Sequence, residues 1–229
     1  MLIGVEERTA RRRLPAGERR RSIVDIAYGE FAERGYEAVT MREIAGRLGV
    51  TSPALYRQFS SKESLYAACA ERLVEPMLAT VAKATDPSLP PDGQLWAGIN
   101  AQLRFIADHR QEWNSYVRQA ASLGGEPEAA LARGRAAVTD LLAGLIEQAA
   151  RTAGAPVPPA AELDFLGHVL QGAVERAAHW WEGHPEQPVE AVAMRVMNFA
   201  WQGFGDLMEG RIWSLTLPAE SGRKRDHEG

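Results

Sequence analysis

The sequence predicts an all-α chain built from a small N-terminal head and a larger C-terminal body. Three observations carry that prediction. Apolar residues recur at helical spacing from Ile23 onward, no stretch sustains the alternation of a strand, and breaks rich in Gly and Pro separate long periodic runs. No internal repeat of solenoid length is present. At 229 residues with 45% hydrophobic side chains the chain can bury a sizeable core, which excludes general disorder.

The head is the most sharply punctuated part. Ile23, Ile26, Ala27 and Phe31 share one face, and Gly35 stands where a left-handed residue would end that helix, giving a first helix over residues 17–34. Thr40 lies three residues before Glu43, a capping box in which each side chain satisfies a backbone donor at the other's position. The second helix starts there, keeps Met41, Ile44, Ala45 and Leu48 on one face, and is cut short by Gly49. Thr51 is placed to cap a third helix over residues 52–58, with Pro53 in its first turn and Leu55 and Phe59 facing inward. Ser61 caps the fourth, whose Leu65, Cys69 and Leu73 form a stripe and whose Pro76 is expected to kink it or lie near a bend.

In the body, breaks at residues 86–93, 124–127, 154–159 and 183–188 separate stretches that all read as helix. The resulting division is a basic arm at residues 1–16, the head at 17–72, the body at 73–217 and a polar, frayed tail at 218–229.

Charge separates the two units. The first 72 residues carry thirteen Lys and Arg against ten Asp and Glu, a net of +3, so a total of −4 leaves −7 on the remainder. Phosphate neutralisation is local, and a basic head on an acidic body suits nucleic-acid binding better than the total does. The arginine-rich start reads equally as a solvated tail. The single cysteine, Cys69, cannot form an internal disulfide and fits a reducing compartment. No apolar run reaches the roughly 18 residues of a membrane helix, and Arg11, Arg12 and Arg13 precede no signal-like apolar region. A soluble, cytoplasmic protein without a membrane partner is expected.

A helix, a glycine turn and a second short helix can set that second helix into the major groove of DNA. With Leu55 and Phe59 turned inward, Ser52, Ala54, Tyr56, Arg57 and Gln58 are left to face outward. Arg57 suits guanine O6 and N7, Gln58 suits adenine, and Ala54 suits a thymine methyl. Thr51, Tyr56 and Lys62 offer hydroxyl and ammonium donors for phosphates, and Lys62 at a capped helix N-terminus is electrostatically unfavourable without a nearby anion.

These residues resemble a known family. The run FAERGYEAVTMREIAGRLGVTSPALYRQFSSKESLY, within residues 23–73, is similar to the DNA-binding domain of the tetracycline-repressor (TetR) family. Phe31, Gly35, Thr40, Ile44, Ala45, Gly49, Val50, Leu55, Tyr56, Phe59, Lys62 and Leu65 fall in one register with it, over about a quarter of the chain. The resemblance implies phosphate contacts for Thr40, Thr51, Tyr56 and Lys62, a recognition role for the third helix, repression as the commoner mode, and a body that binds a small molecule and dimerises. Arg57 and Gln58 depart from an aromatic and a histidine common at these places, which leaves the operator open. Arms like residues 8–21 reach the minor groove in some members.

Two apolar seams in the body suit a four-helix bundle across a two-fold axis: Leu166, Val169, Leu170 and Ala173 on one helix, Val192, Val196, Phe199 and Gly203 on the other. One head touches one half-site, so a homodimer would present two to a palindrome. Trp96, Phe105, His109, Trp113, Asn114, Arg118, Glu175 and His179 combine aromatic walls with a few polar groups and are the candidate effector pocket. Arg118 and Glu175 either orient a charged ligand or pair with each other.

Competing readings lack their residues. Five histidines include no i,i+4 pair, one cysteine cannot build a thiolate zinc cluster, and no phosphate loop or nucleophile elbow occurs. No enzyme, metal or cofactor is expected. A surface-binding adaptor using the arginine-rich start remains the other alternative, and it would bind anions without sequence choice.

Overall fold

The structure is a computed structural model and describes residues 15–208. The predicted arm lies almost wholly, and the predicted tail wholly, outside the described residues.

Nine helices follow one another among the described residues, without a strand: α1 (Ala16–Ala38), α2 (Met41–Leu48), α3 (Ser52–Tyr56), α4 (Lys62–Ala84), α5 (Pro91–Asp108), α6 (Arg110–Leu123), α7 (Gly125–Thr152), α8 (Ala160–Glu182) and α9 (Val189–Met208). The all-α expectation holds. Helix α4 is the spine: it packs on α1 in the head and on α5 and α7 in the body, while α8 lies on α7 and α9 on α5.

Local sequence explains the boundaries. Helix α1 is interrupted at Gly35, whose φ of 77° is open to glycine, and one further turn carries it to Ala38 instead of stopping at Arg34. A side chain at Gly35 would also press on the Gln119 amide, 3.3 Å from the added carbon. Thr40 and Glu43 form the predicted capping box, and Gly49 ends α2 in the left-handed conformation with φ 65° and ψ 33°. Ser61 is also the N-cap of a reciprocal box, with Ser64 as its partner.

Two expectations need correction. Helix α3 stops at Tyr56, so Arg57 and Gln58 belong to its closing turn. Thr51 sits at the N-cap, but its side chain makes no cap hydrogen bond; its carbonyl oxygen accepts from the N–H groups of Ala54 and Leu55. Helix α4 runs through Pro76 without a break, and the Thr80 hydroxyl donates to the Pro76 carbonyl at 2.8 Å.

One hydrophobic core spans head and body. Phe31 from α1, Tyr66 from α4 and Tyr116 from α6 meet in it, with Tyr66 lying 5.1 Å from the Phe31 ring and 4.9 Å from the Tyr116 ring between centroids. The predicted inward residues Ile23, Ala27, Ile44, Leu55, Phe59, Leu65, Cys69 and Leu73 are all buried. The head is therefore not a bead on a string: any shift of α6 acts on packed atoms of α1 and α4.

Candidate nucleic-acid interface and effector cavity

The head exposes a short helix and buries what holds it. Leu55 and Phe59 fix the inner side of α3 and its closing turn, while Tyr56 is 49% exposed and Thr51 and Arg57 are exposed beside it. Ser52, Ala54 and Gln58 are half-buried. Arg20, which the sequence alone did not single out, closes this unit from α1. Its guanidinium lies 4.1 Å from the centre of the Phe59 ring and donates to the Gln58 carbonyl at 3.1 Å.

Two of the expected phosphate contacts already have work within the protein. The Thr40 hydroxyl accepts from Glu43 N–H at 3.2 Å and donates to Glu43 Oε2 at 2.6 Å. With Arg34 also donating to it at 2.8 Å, the Glu43 carboxyl is held down to about 2, first by the Thr40 hydroxyl and then by Arg34. Lys62 is not left facing an empty N-terminus: its ammonium sits 4.0 Å from the centre of the Tyr36 ring. The Tyr36 hydroxyl donates to Glu63 Oε1 at 2.9 Å, and burial pushes that phenol's pKa up. Lys62 thus has a resting place beside the third helix's exit, which the sequence did not reveal.

In the body, the eight pocket candidates do not form one site. Trp113, Asn114, Glu175 and His179 line a cavity of about 420 Å³ between α6 and α8, together with Val117, Gly172, Arg176 and Glu182. Phe105 and His109, stacked with ring centroids 4.0 Å apart, face a different groove of about 790 Å³ bounded by α1 and α4. Helix α6 contributes to both, through Glu112 to the groove and through Trp113 to the cavity. Trp96 packs against the core and is absent from both linings. Arg118 lies on α6, but its side chain falls outside the described ones.

The α6–α8 cavity has ordered walls. Buried Gln102 donates to Gln171 at 3.3 Å, and Gln171 donates to Glu175 at 3.2 Å, so a polar ladder crosses the core and ends on a cavity carboxylate. Opposite, the Asn114 Oδ1 atom is buried without a hydrogen-bond partner. Helix α6 turns another side to the head. There Gln111 donates to the Ala32 carbonyl, Ser115 to Phe31, Tyr116 to Tyr28, and Gln119 accepts from Tyr36 N–H, at distances of 2.8–3.3 Å. Tyr116 is fully buried in that seam.

The seam residues proposed for dimerisation divide likewise. Leu170, Val192 and Val196 are buried in the subunit's own core, because α8 and α9 turn those positions toward α7 and α5. Val169 and Phe199 are outward at 44% and 68% exposure, Leu166 and Ala173 are half-buried, and Gly203 is exposed. Phe165 at 59% and Trp201 at 41% extend the outward set and were missed. The missed signal was phase: each helix has two apolar stripes, and periodicity alone does not say which faces home.

Comparison with known proteins bears on both units. A family model described as bacterial regulatory proteins, tetR family, matches residues 23–69, and one described as a tetracyclin repressor-like C-terminal domain matches residues 91–203. The chain belongs to the tetR family. It is 38% identical over 112 residues to the HTH-type transcriptional activator FasR of Mycolicibacterium smegmatis, covering 47% of this chain and 51% of that protein. Over 109 residues it is 29% identical to the HTH-type transcriptional repressor KstR2 of Mycobacterium tuberculosis, covering 48% and 54%. The chain thus spans about half the length of the curated relatives it matches. A crystal structure of a TetR-like transcriptional regulator from Rhodococcus sp. RHA1 superposes with a TM-score of 0.63 at 28% identity, covering 84% of this chain and 99% of that one.

As a tetR-family member the chain is a DNA-binding transcription regulator and not an enzyme. Among the described residues no helix is long and apolar enough to cross a membrane, and no group of three His, Cys, Asp or Glu could hold a metal ion.

Proposed function

We propose that the chain is an effector-controlled repressor that occupies a palindromic DNA site as a homodimer in the cytoplasm and leaves it when a small molecule fills the α6–α8 cavity. The observation that carries this reading is the two-sided α6. One side lines the cavity through Trp113, Asn114 and Val117, and the other holds the backbone of α1 by four hydrogen bonds. A ligand that favours a shifted α6 must also favour a shifted α1, and the spacing of two heads follows from that shift.

In this reading Ser52, Ala54, Arg57 and Gln58 meet base edges, while Thr40, Thr51, Tyr56 and Lys62 meet phosphates. The outward apolar side chains Phe165, Val169, Phe199 and Trp201 on α8 and α9 cover one another across the two-fold axis. A second reading, activation from the same fold, is favoured by the similarity to a protein named as an activator. In vitro transcription from a template carrying the selected site separates them: repression predicts fewer transcripts with the protein bound, activation predicts more. Fluorescence of Trp113 during screening of a small-molecule library tests the effector, and a compound that quenches it must also release DNA.

A further inference from the structure

Glu30 stands out in the head. It lies in α1 directly before the core residue Phe31 and is only 5% exposed. A carboxylate in such a place is costly unless it is fully paired. Its two oxygens are divided between two helices: Oε2 meets Arg34 of α1 at 3.1 Å, and Oε1 meets Arg47 of α2 at 2.5 Å.

The pairing continues outward. Arg34 also donates to Glu43 Oε1 at 2.8 Å and to the Ala38 carbonyl at 2.9 Å. Glu43 belongs to the first turn of α2 and Arg47 to its last. One chain of four charges therefore ties both ends of α2, and the residues just after the Gly35 break, to a single stretch of α1. Helix α2 in turn packs on α3 and leads into it through the left-handed Gly49. None of the four charges is on α3 itself.

Both arginines reach water, with side chains 35% and 59% exposed, so this network adds little net stability, but an arrangement of the helices that parts Glu30 from both leaves a buried carboxylate unpaired. It therefore constrains angle more than it adds strength. We propose that Glu30 is a positioning residue for DNA reading: through Arg34 and Arg47 it fixes the tilt of α2, and with it α3, against α1.

The test uses the full chain and a double-mutant cycle of Glu30→Gln and Arg47→Met. The quantity read is the ratio of affinity for the duplex that the wild-type protein enriches from a random-sequence library to affinity for the unselected library. Each single variant is expected to lower that ratio about tenfold, Glu30→Gln at least as much as Arg47→Met, and the double variant no further than Glu30→Gln alone, because both break the Glu30–Arg47 link. Affinity for unselected DNA and its salt dependence should stay the same in all three. Independent losses that multiply to about a hundredfold would overturn the proposal. So would an unchanged ratio, or a weaker salt dependence in Arg47→Met, which would make Arg47 a phosphate contact. Arg47→Met leaves Glu30 paired with Arg34 and carries the test alone where Glu30→Gln melts below the assay temperature; the same tenfold drop supports the proposal and an unchanged ratio overturns it.

Discussion

Head and body differ in how completely their polar groups are satisfied. In the head, the buried Glu30 has two arginine partners, the exposed Glu43 is held by Thr40 and Arg34, and the half-buried Ser61 and Ser64 satisfy each other. Among the described residues, the buried side-chain oxygens without a partner are those of Asn100 and Asn114, both in the body. A unit that must present one geometry to a rigid duplex satisfies its donors and acceptors internally. In the proposed effector role, the Asn114 oxygen at the cavity wall is the atom that a ligand would satisfy, at a standing cost of about 1–3 kcal/mol for an unsatisfied buried group.

The sharpest way to break this contrast is to remove packing from each side. Leu55→Ala, at a fully buried position beneath α3, should cost roughly 2–5 kcal/mol in denaturant unfolding and abolish DNA binding. Gly134→Ala tests the body: a methyl there would stand 2.3 Å from Val74 Cγ1, where α7 crosses α4, so about 1–3 kcal/mol should be lost by overpacking. A stability loss in Gly134→Ala that leaves the DNA affinity of the folded fraction intact would sharpen the division.

Smaller changes discriminate more finely. Thr40→Ala removes one half of the capping box and should cost about 1 kcal/mol. Because the Glu43 carboxyl is depressed from 4.5 to about 2, its contribution is fully present above the higher value and is lost as pH falls through the lower one. Stability of the wild type should therefore decline across that acid interval, and Thr40→Ala should decline less. Asn114→Leu should have the smallest effect on stability, neutral or slightly favourable in thermal unfolding, while eliminating any ligand response that passes through the α6–α8 cavity. A strongly destabilised Asn114→Leu would mean that this side chain holds the fold and is not waiting for a ligand.

How far the sequence could be read follows the same division. The head was legible because its signals are local: Thr40 with Glu43, Gly35, Gly49 and Ser61 act within a turn of themselves, and the helix bounds missed by only a few residues. What escaped there was long-range. Arg20 over Phe59, Lys62 over Tyr36 and the sharing of Glu30 between two helices join residues 17–39 positions apart, and no spacing rule announces them. In the body, composition found the residues but not their grouping. Trp113, Asn114, Glu175 and His179 do meet, whereas Phe105 and His109 face another groove, bounded by α1 and α4. The phase of α8 and α9 was illegible for a related reason: Leu170 and Val169 are equally apolar neighbours, and only packing on α7 turns one inward and the other out.

The central claim is that two copies of this head read one duplex. Selection of full-chain protein on a random duplex library, followed by hydroxyl-radical footprinting of the enriched sequence, tests it directly. The account predicts a palindrome protected on one face at two half-sites, with centres about 34–36 Å or a multiple of that apart. An enriched sequence with a single half-site bound by one chain, or no enrichment at all, would contradict it.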